Sequence, residues 1–379
     1  MNRLFDPALI ADPYPHYARW REEAPIFRDA DSGGWVLTRH DDVRAVLKDS
    51  ADYSSRAMGV GGPLPLLSDD PPRHTQLRGL VDRAFTARML KKMEDSIVDI
   101  ARSLVAALPE DAPVDVVQKL TIPLPVAVIA QMMGIPTERS DDFKRWSDAL
   151  TGTLSGESAF EARRNDVLEM AAFFHSLIPE RRANPRDDLV SAVVNAEIDG
   201  ERLSDRDIVG FNVLLLIAGN ETTTNLLGNL LNVLADRPDL YAQLAERPEL
   251  VDAAIEETLR YDAPVQFVMR EATRAVRFHG KDVAPGDMLH VVMASANRDP
   301  RAYEGADEFR LDREKNHHHT FGFGIHFCMG APLARMEARI AMRALLARFS
   351  RLRRAAGDTE RVASPILRGF HHLSLALSA

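Results

Sequence analysis

The one cysteine of this 379-residue chain, Cys328, lies in the run Phe321-Gly322-Phe323-Gly324-Ile325-His326-Phe327-Cys328-Met329-Gly330. Three glycines in those ten residues permit close backbone approach and left-handed turns. Ala331-Pro332-Leu333-Ala334-Arg335 then reads as the start of a helix, so Cys328 sits near a helix N-terminus. Unpaired N–H groups and the positive dipole end favour a thiolate there. A thiolate flanked by Phe321 and Phe327 suits a soft metal cofactor with aromatic walls. A lone cysteine cannot make an intramolecular disulfide, a four-cysteine zinc site or an iron–sulfur cluster. Haem with one axial thiolate needs only this one ligand. The plain alternative is an inert cysteine buried in a Gly-rich turn.

Other residues have chemical potential but are ambiguous alone. Glu221-Thr222-Thr223 follows Ala218-Gly219-Asn220, and a Glu-Thr-Thr run in a helix is ordinarily a solvated face or a local bend. Glu257 and Arg260 share a helix face at i, i+3, the spacing of many surface ion pairs. His74 and Arg78 share one at i, i+4. His317, His318 and His319 invite a metal reading, but adjacent side chains cannot converge on one ion without contortion.

The cysteine run resembles the haem-binding signature of the cytochrome P450 family, F-G-x-G-x-H-x-C-x-G, at every fixed position. Three further signatures occur in the family's order, so the resemblance covers nearly the whole chain. It implies haem b (iron protoporphyrin IX) with Cys328 as the axial iron ligand. It implies that His74, Arg78, Arg270 and His326 bind the two propionates, and cationic donors suit carboxylates. Glu221 resembles the acid of a proton relay, and Thr222 the alcohol facing the oxygen site; such a pair with water can supply protons for O–O cleavage. Gly219 would leave room for dioxygen. The family more often has Asp where Glu221 stands. Glu257-Thr258-Leu259-Arg260 matches the structural E-x-x-R pair, whose third partner belongs to a segment resembling Ala306-Asp307-Glu308-Phe309; Glu308 stands where a basic residue is common. By resemblance Leu64, Leu66, Ile217, Ala218, Val265 to Val268, Ile366 and Leu367 line a substrate pocket. The set is nearly all apolar, and Gln266 is available to a polar substrate group.

These residues need elements to hold them. Pro15–Glu23 and Asp41–Lys48 read as short helices, Trp35–Thr38 as a strand, and 56–72 as a loop. From Arg73 the pattern turns helical, with Leu77, Leu80, Val81 and Ala84 at i, i+3, i+4, i+7. Helices are expected over 88–108, 123–134, 138–155, 159–183 and 187–197. Ser204–Ala235 forms a long helix opened by a Ser204/Asp207 capping box, with Pro238 just beyond. At 1.5 Å per residue it spans roughly 48 Å, against a diameter of roughly 54 Å for a compact chain of this length. Such a helix crosses the molecule and favours one domain over 1–379. Helices at 238–246 and 249–262, strands at 276–278, 281–283 and 288–293, and a last helix to Phe349 complete the pattern. The expected fold is mainly α with a small β region, the long central helix crossing over the haem.

Hydrophobic residues make up 45% of the chain and charged residues 27%, the balance of an ordinary globular protein. The net charge of −9 argues against nucleic acid and for a chain that stays monomeric. The longest apolar run, Val209 to Gly219, is far short of a membrane span, and no signal-peptide core follows Met1, so a cytoplasmic location is expected. Two segments run against the acidic total: Arg73–Lys92 and Gly330–Arg361 each carry a local +5. The resemblance puts both on the face where the cysteine ligand nears the surface. That suits an acidic ferredoxin or flavodoxin fed by an NAD(P)H-dependent reductase. Arg335 and Arg339, one turn apart on the last helix, are the docking residues this reading singles out. The expected activity is insertion of one oxygen atom of O₂ into an apolar molecule of the steroid, terpenoid, fatty-acid or macrolide class, with two electrons from the donor. A peroxide-driven oxygenase is the rival on the same scaffold, and Glu221-Thr222 argues against it. A non-enzymic haem-thiolate gas sensor is the rival from another class.

Overall fold

Asp205–Ala235 is a 31-residue helix whose N-cap, Ser204, accepts the Asp207 N–H at 3.2 Å, as the capping box requires. Its two ends are buried in different apolar clusters. Leu226, Leu227, Leu230, Leu231 and Leu234 meet the last helix, Ala331–Arg348, and the strand Phe370–Ser378 in the first cluster. Ile208, Phe211, Val213 and Leu216 meet the helices Pro123–Met132, Ser140–Thr151 and Glu157–Ala183 in the second. Each fully buried leucine contributes about 2 kcal/mol relative to exposure, so both ends are firmly anchored. Between them lies a window, Ile217 to Asn225, where polar residues replace leucines. The chemistry-bearing residues fall in that window.

The computed structural model describes residues 3–59, 64–151, 157–198 and 200–379. Helices dominate, as expected. Helices follow at Arg73–Ala84, Ala87–Ala106, Leu189–Val194, Pro238–Glu246 and Val251–Tyr261, within a few residues of the sequence expectation. Residues 152–155 of the predicted 138–155 helix lie outside the described residues.

A mixed sheet of five strands runs Ile26–Arg28, Trp35–Leu37, Met288–Val291, Val268–Ala272, Tyr53–Ser54. Trp35 pairs with Leu289 in parallel, and Leu289 with Arg270 in antiparallel register. This register fixes the backbone of Arg270. A second sheet pairs Arg351–Arg361 with Phe370–Ser378, and that strand with Pro113–Asp115. No helix among the described residues is long and apolar enough to cross a membrane.

Candidate functional site

The cysteine loop is held by backbone bonds that its glycines make possible. Gly322 and Gly324 both have φ of +73°, a region that penalises a Cβ. At Gly324 a Cβ would also lie 2.8 Å from the carbonyl oxygen of Leu47, so the helix His40–Lys48 presses directly on the loop. The Cys328 N–H donates to Phe321 O at 2.8 Å, closing the turn before the last helix begins at Ala331. The side chain of Cys328 is accessible. Burial of its surroundings raises the thiol; the Gly330 and Ala331 N–H groups pull it the other way, aided by Arg78 and Arg335. The helix-terminus donors foreseen from the sequence are therefore present, and desolvation outweighs them. A bound metal cation would tip the balance to thiolate.

Four groups expected to bind carboxylates converge beside this loop. The His74 and His326 rings lie 4.2 Å apart. Arg78 donates through Nη1 to the carbonyl of Phe327 at 2.7 Å, tying the Arg73–Ala84 helix to the cysteine loop. Arg270 is buried, and its Nη1 donates to its own neighbour, the Met269 carbonyl, at 2.8 Å. His74 is buried, and neither ring nitrogen has a partner among the described residues. Burial holds Arg270 down to about 10, with Asp70 opposing. Burial, then the charges of Arg270, His74 and Arg78, holds His326 down to about 3. Two guanidinium groups beside two imidazoles, one of them with both nitrogens orphaned, offer donors that two propionates would engage. The residues thus fit haem. Ser55, whose Oγ lies 2.8 Å from His326 Nε2, belongs to the same group and carries no sequence signal.

The long helix turns a different face to the site. Ala218 is exposed although it lies mid-helix, and Ile217 and Thr222 are half-buried, so this turn borders open space. Thr222 Oγ1 donates to the Ala218 carbonyl at 2.8 Å. Glu221, about 100° round the helix, is buried, and its Oε1 accepts from Ser147 Oγ at 2.8 Å. Acid and alcohol therefore face different neighbours. Gly219 has a reason other than room for dioxygen: a Cβ there would come within 3.1 Å of Ile129 Cδ1, so the glycine serves close helix packing.

Other expectations are corrected or refined. Glu257 and Arg260 are fully buried and paired at 2.7 Å. Their third partner is Arg313, whose Nε donates to Glu257 Oε1 at 2.9 Å; Glu308 contributes only its carbonyl, to both arginines. Within the histidine run, His318 Nε2 lies 3.2 Å from Glu256 Oε2 and His319 is buried, and no group of three or more His, Cys, Asp or Glu side chains placed to hold a metal occurs among the described residues. Gln266 is withdrawn from any pocket, since its side chain is buried, accepts from Tyr17 OH at 3.2 Å and donates to Ala263 O at 2.7 Å. Leu64, Leu66 and Ile217 join one apolar cluster with Met329, beside Cys328. Val265 is bridged to Leu367, while Phe267 turns into a separate cluster with Leu4 and Tyr17. A cavity of about 450 Å³ elsewhere contains none of the predicted site residues; Arg237, Arg298, Arg361 and Arg368 line it.

A model of the family described as Cytochrome P450 matches residues 126–362. A vitamin D(3) 25-hydroxylase of Pseudonocardia autotrophica is 37% identical, with 99% of this chain and 96% of that protein covered. The polyketide-biosynthesis cytochrome P450 PksS of Bacillus subtilis 168 has a solved structure that superposes with a TM-score of 0.92 at 35% identity, covering 100% of both chains. The structure of CYP109E1 from Bacillus megaterium in complex with corticosterone superposes with a TM-score of 0.89 at 34% identity, covering 98% of this chain and 100% of that one.

Proposed function

The chain belongs to the cytochrome P450 family, a haem-thiolate monooxygenase with haem b as cofactor, and from that premise we propose a substrate, a donor and a set of working residues. The substrate is a bulky apolar molecule of the steroid, terpenoid, fatty-acid or macrolide class. Support comes from the apolar candidate lining Leu64, Leu66, Ile217, Val265, Val268 and Leu367, together with the withdrawal of Gln266 into its bonds with Tyr17 and Ala263. A lining of this kind selects by shape and apolar area. Electrons come from a ferredoxin or flavodoxin in the cytoplasm.

Bound haem supplies the activation of dioxygen. The chain's residues do the rest. Cys328 binds the iron through its sulfur, held by the turn that Phe321 closes. His74, Arg78, Arg270 and His326 orient the cofactor by its propionates. Thr222 offers a hydroxyl on the open face of the long helix. Glu221 places a carboxyl shielded from bulk water where it relays protons toward that face.

The observation carrying this reading is the pair of orphaned His74 nitrogens, set with Arg78, Arg270 and His326 beside the cysteine loop. The test is spectroscopic. Reduced holoprotein treated with CO is expected to show the red-shifted Soret band of thiolate-ligated haem. Cys328→His should lose that band and the monooxygenase activity, because imidazole donates less electron density to iron. A variant spectrum identical to wild type overturns the assignment of Cys328.

A further inference from the structure

Ser147 lies on the Ser140–Thr151 helix and is completely buried. Its hydroxyl reaches across to the long helix and donates to Glu221 Oε1 at 2.8 Å, over a sequence separation of 74 residues. Both side chains have given up water, so the bond between them is retained rather than exchanged with solvent. A hydroxyl donating to a carboxylate is also among the stronger side-chain bonds. The surroundings make this contact more than incidental. Phe143 and Trp146, on the same helix as Ser147, are fully buried in the apolar cluster that also takes in the long helix. The Pro123–Met132 helix, also packed on the long helix, carries no charged residue. Arg145 is taken up by Asp142, Asp166 and Glu169. The other charged groups nearby on the serine's helix are Asp141 and Lys144, and the Glu157–Ala183 helix brings Arg163, Arg164, Asp166 and Glu169.

We propose that Ser147 is a positioning residue for proton delivery: its hydroxyl fixes the carboxyl of Glu221 on the side of the long helix facing the Ser140–Thr151 helix. The proposal rests on Glu221 being the relay acid. Glu221 and Thr222 project about 100° apart, and Thr222 bonds to its own helix at Ala218. A proton passing between them must cross a gap whose length depends on where the carboxyl is held. Without Ser147 the carboxyl loses a donor that favours its ionised form.

The test uses the holoenzyme and two readouts. Ser147→Ala should retain haem and the substrate-induced absorbance shift with unchanged KM, while kcat falls on the order of 10-fold, the worth of one charge-assisted bond. The infrared carboxyl band that disappears in Glu221→Gln should titrate at higher pH in Ser147→Ala, on the order of one unit. Ser147→Thr, which keeps the hydroxyl, should restore both readouts. In a Glu221→Gln background, Ser147→Ala should lower kcat no further. If Glu221→Gln is slow but Ser147→Ala matches wild type in kcat and band, the positioning role is wrong and the relay stands. If Glu221→Gln itself turns over at the wild-type rate, the relay reading fails, and an unmoved band would then overturn the Ser147 contact as well.

Discussion

Thr222 and Glu221 are adjacent in sequence and differ in what their loss should do. Thr222 is half-buried on the face that includes exposed Ala218. Glu221 is buried against Ser147. Thr222→Ala removes a hydroxyl from the open face without touching the acid. Substrate binding and NAD(P)H consumption are expected to persist, while product per NAD(P)H falls several-fold and hydrogen peroxide is released. Glu221→Gln keeps the shape and removes the acid, so turnover itself should slow by about 10²-fold, the usual scale of general-acid loss. Thr223 is buried and turned further round, so Thr223→Ala should leave product per NAD(P)H unchanged. Tight coupling in Thr222→Ala together with wild-type turnover in Glu221→Gln would leave this helix as a pocket wall only. Cys328, His74, Arg78, Arg270 and His326 were legible in the sequence because each stands at a fixed place in a signature. Ser147 was not, because nothing marks one helical serine among others until the fold sets it against Glu221. Gln266 misled for a related reason: residue type shows that it can bond, and only the fold shows that Tyr17 and Ala263 already engage it.

At the scale of elements, the segment leading to the cysteine loop hangs on a buried charge cluster. Glu257 accepts from Arg260, Arg313, Asn316 and the Arg310 N–H. Arg260 in turn donates to the carbonyls of Asn297, Ala306 and Glu308. One carboxylate thus neutralises two buried guanidinium groups, with side-chain exposures of 0% for Arg260 and 8% for Arg313. Glu257→Gln keeps the shape and strands both cations, and a cost of about 3–5 kcal/mol is expected. Arg313→Ala leaves a neutral Glu257–Arg260 pair and should cost less. Urea unfolding of the two variants checks the order, and Glu257→Gln should also lose haem more readily. A larger loss in Arg313→Ala would mean that packing, not charge, holds the segment. The helix that carries Glu257 and Arg260, Val251–Tyr261, was legible within two residues of its bounds. The sheet of Arg351–Arg361 with Phe370–Ser378 was not. Its first strand, RLRRAAGDTER, is charged, interrupted by Gly357 and irregular in register, so no two-residue alternation survives to read.

Across the whole molecule, the two basic segments are less uniformly available than their sums imply. Arg335 donates twice to Glu256, and Arg339 pairs with Asp252, so the two arginines that helix spacing picks out tie the last helix to Val251–Tyr261. Arg335 also stacks 4.6 Å from the Phe321 ring, so replacing it would disturb the cysteine loop. Arg73, Arg78 and Lys92 are likewise paired with acids. Arg88, Lys91 and Arg343 differ: they are exposed, and none has an ion pair among the described residues. Arg88 and Lys91 sit on Ala87–Ala106, which packs against the last helix bearing Arg343. Charges of this kind attract a partner at low cost, because no internal pair has to break first. Alanine at all three is expected to weaken binding of a reduced ferredoxin or flavodoxin about 10-fold at low salt, with haem content and substrate binding unchanged. The difference should vanish towards 1 M salt, where the screening length falls to about 3 Å. Stopped-flow reduction at several donor concentrations measures it. A donor affinity indifferent to both the substitutions and the salt would place the docking site on another face, and the positive segments would then serve only the fold and the propionates.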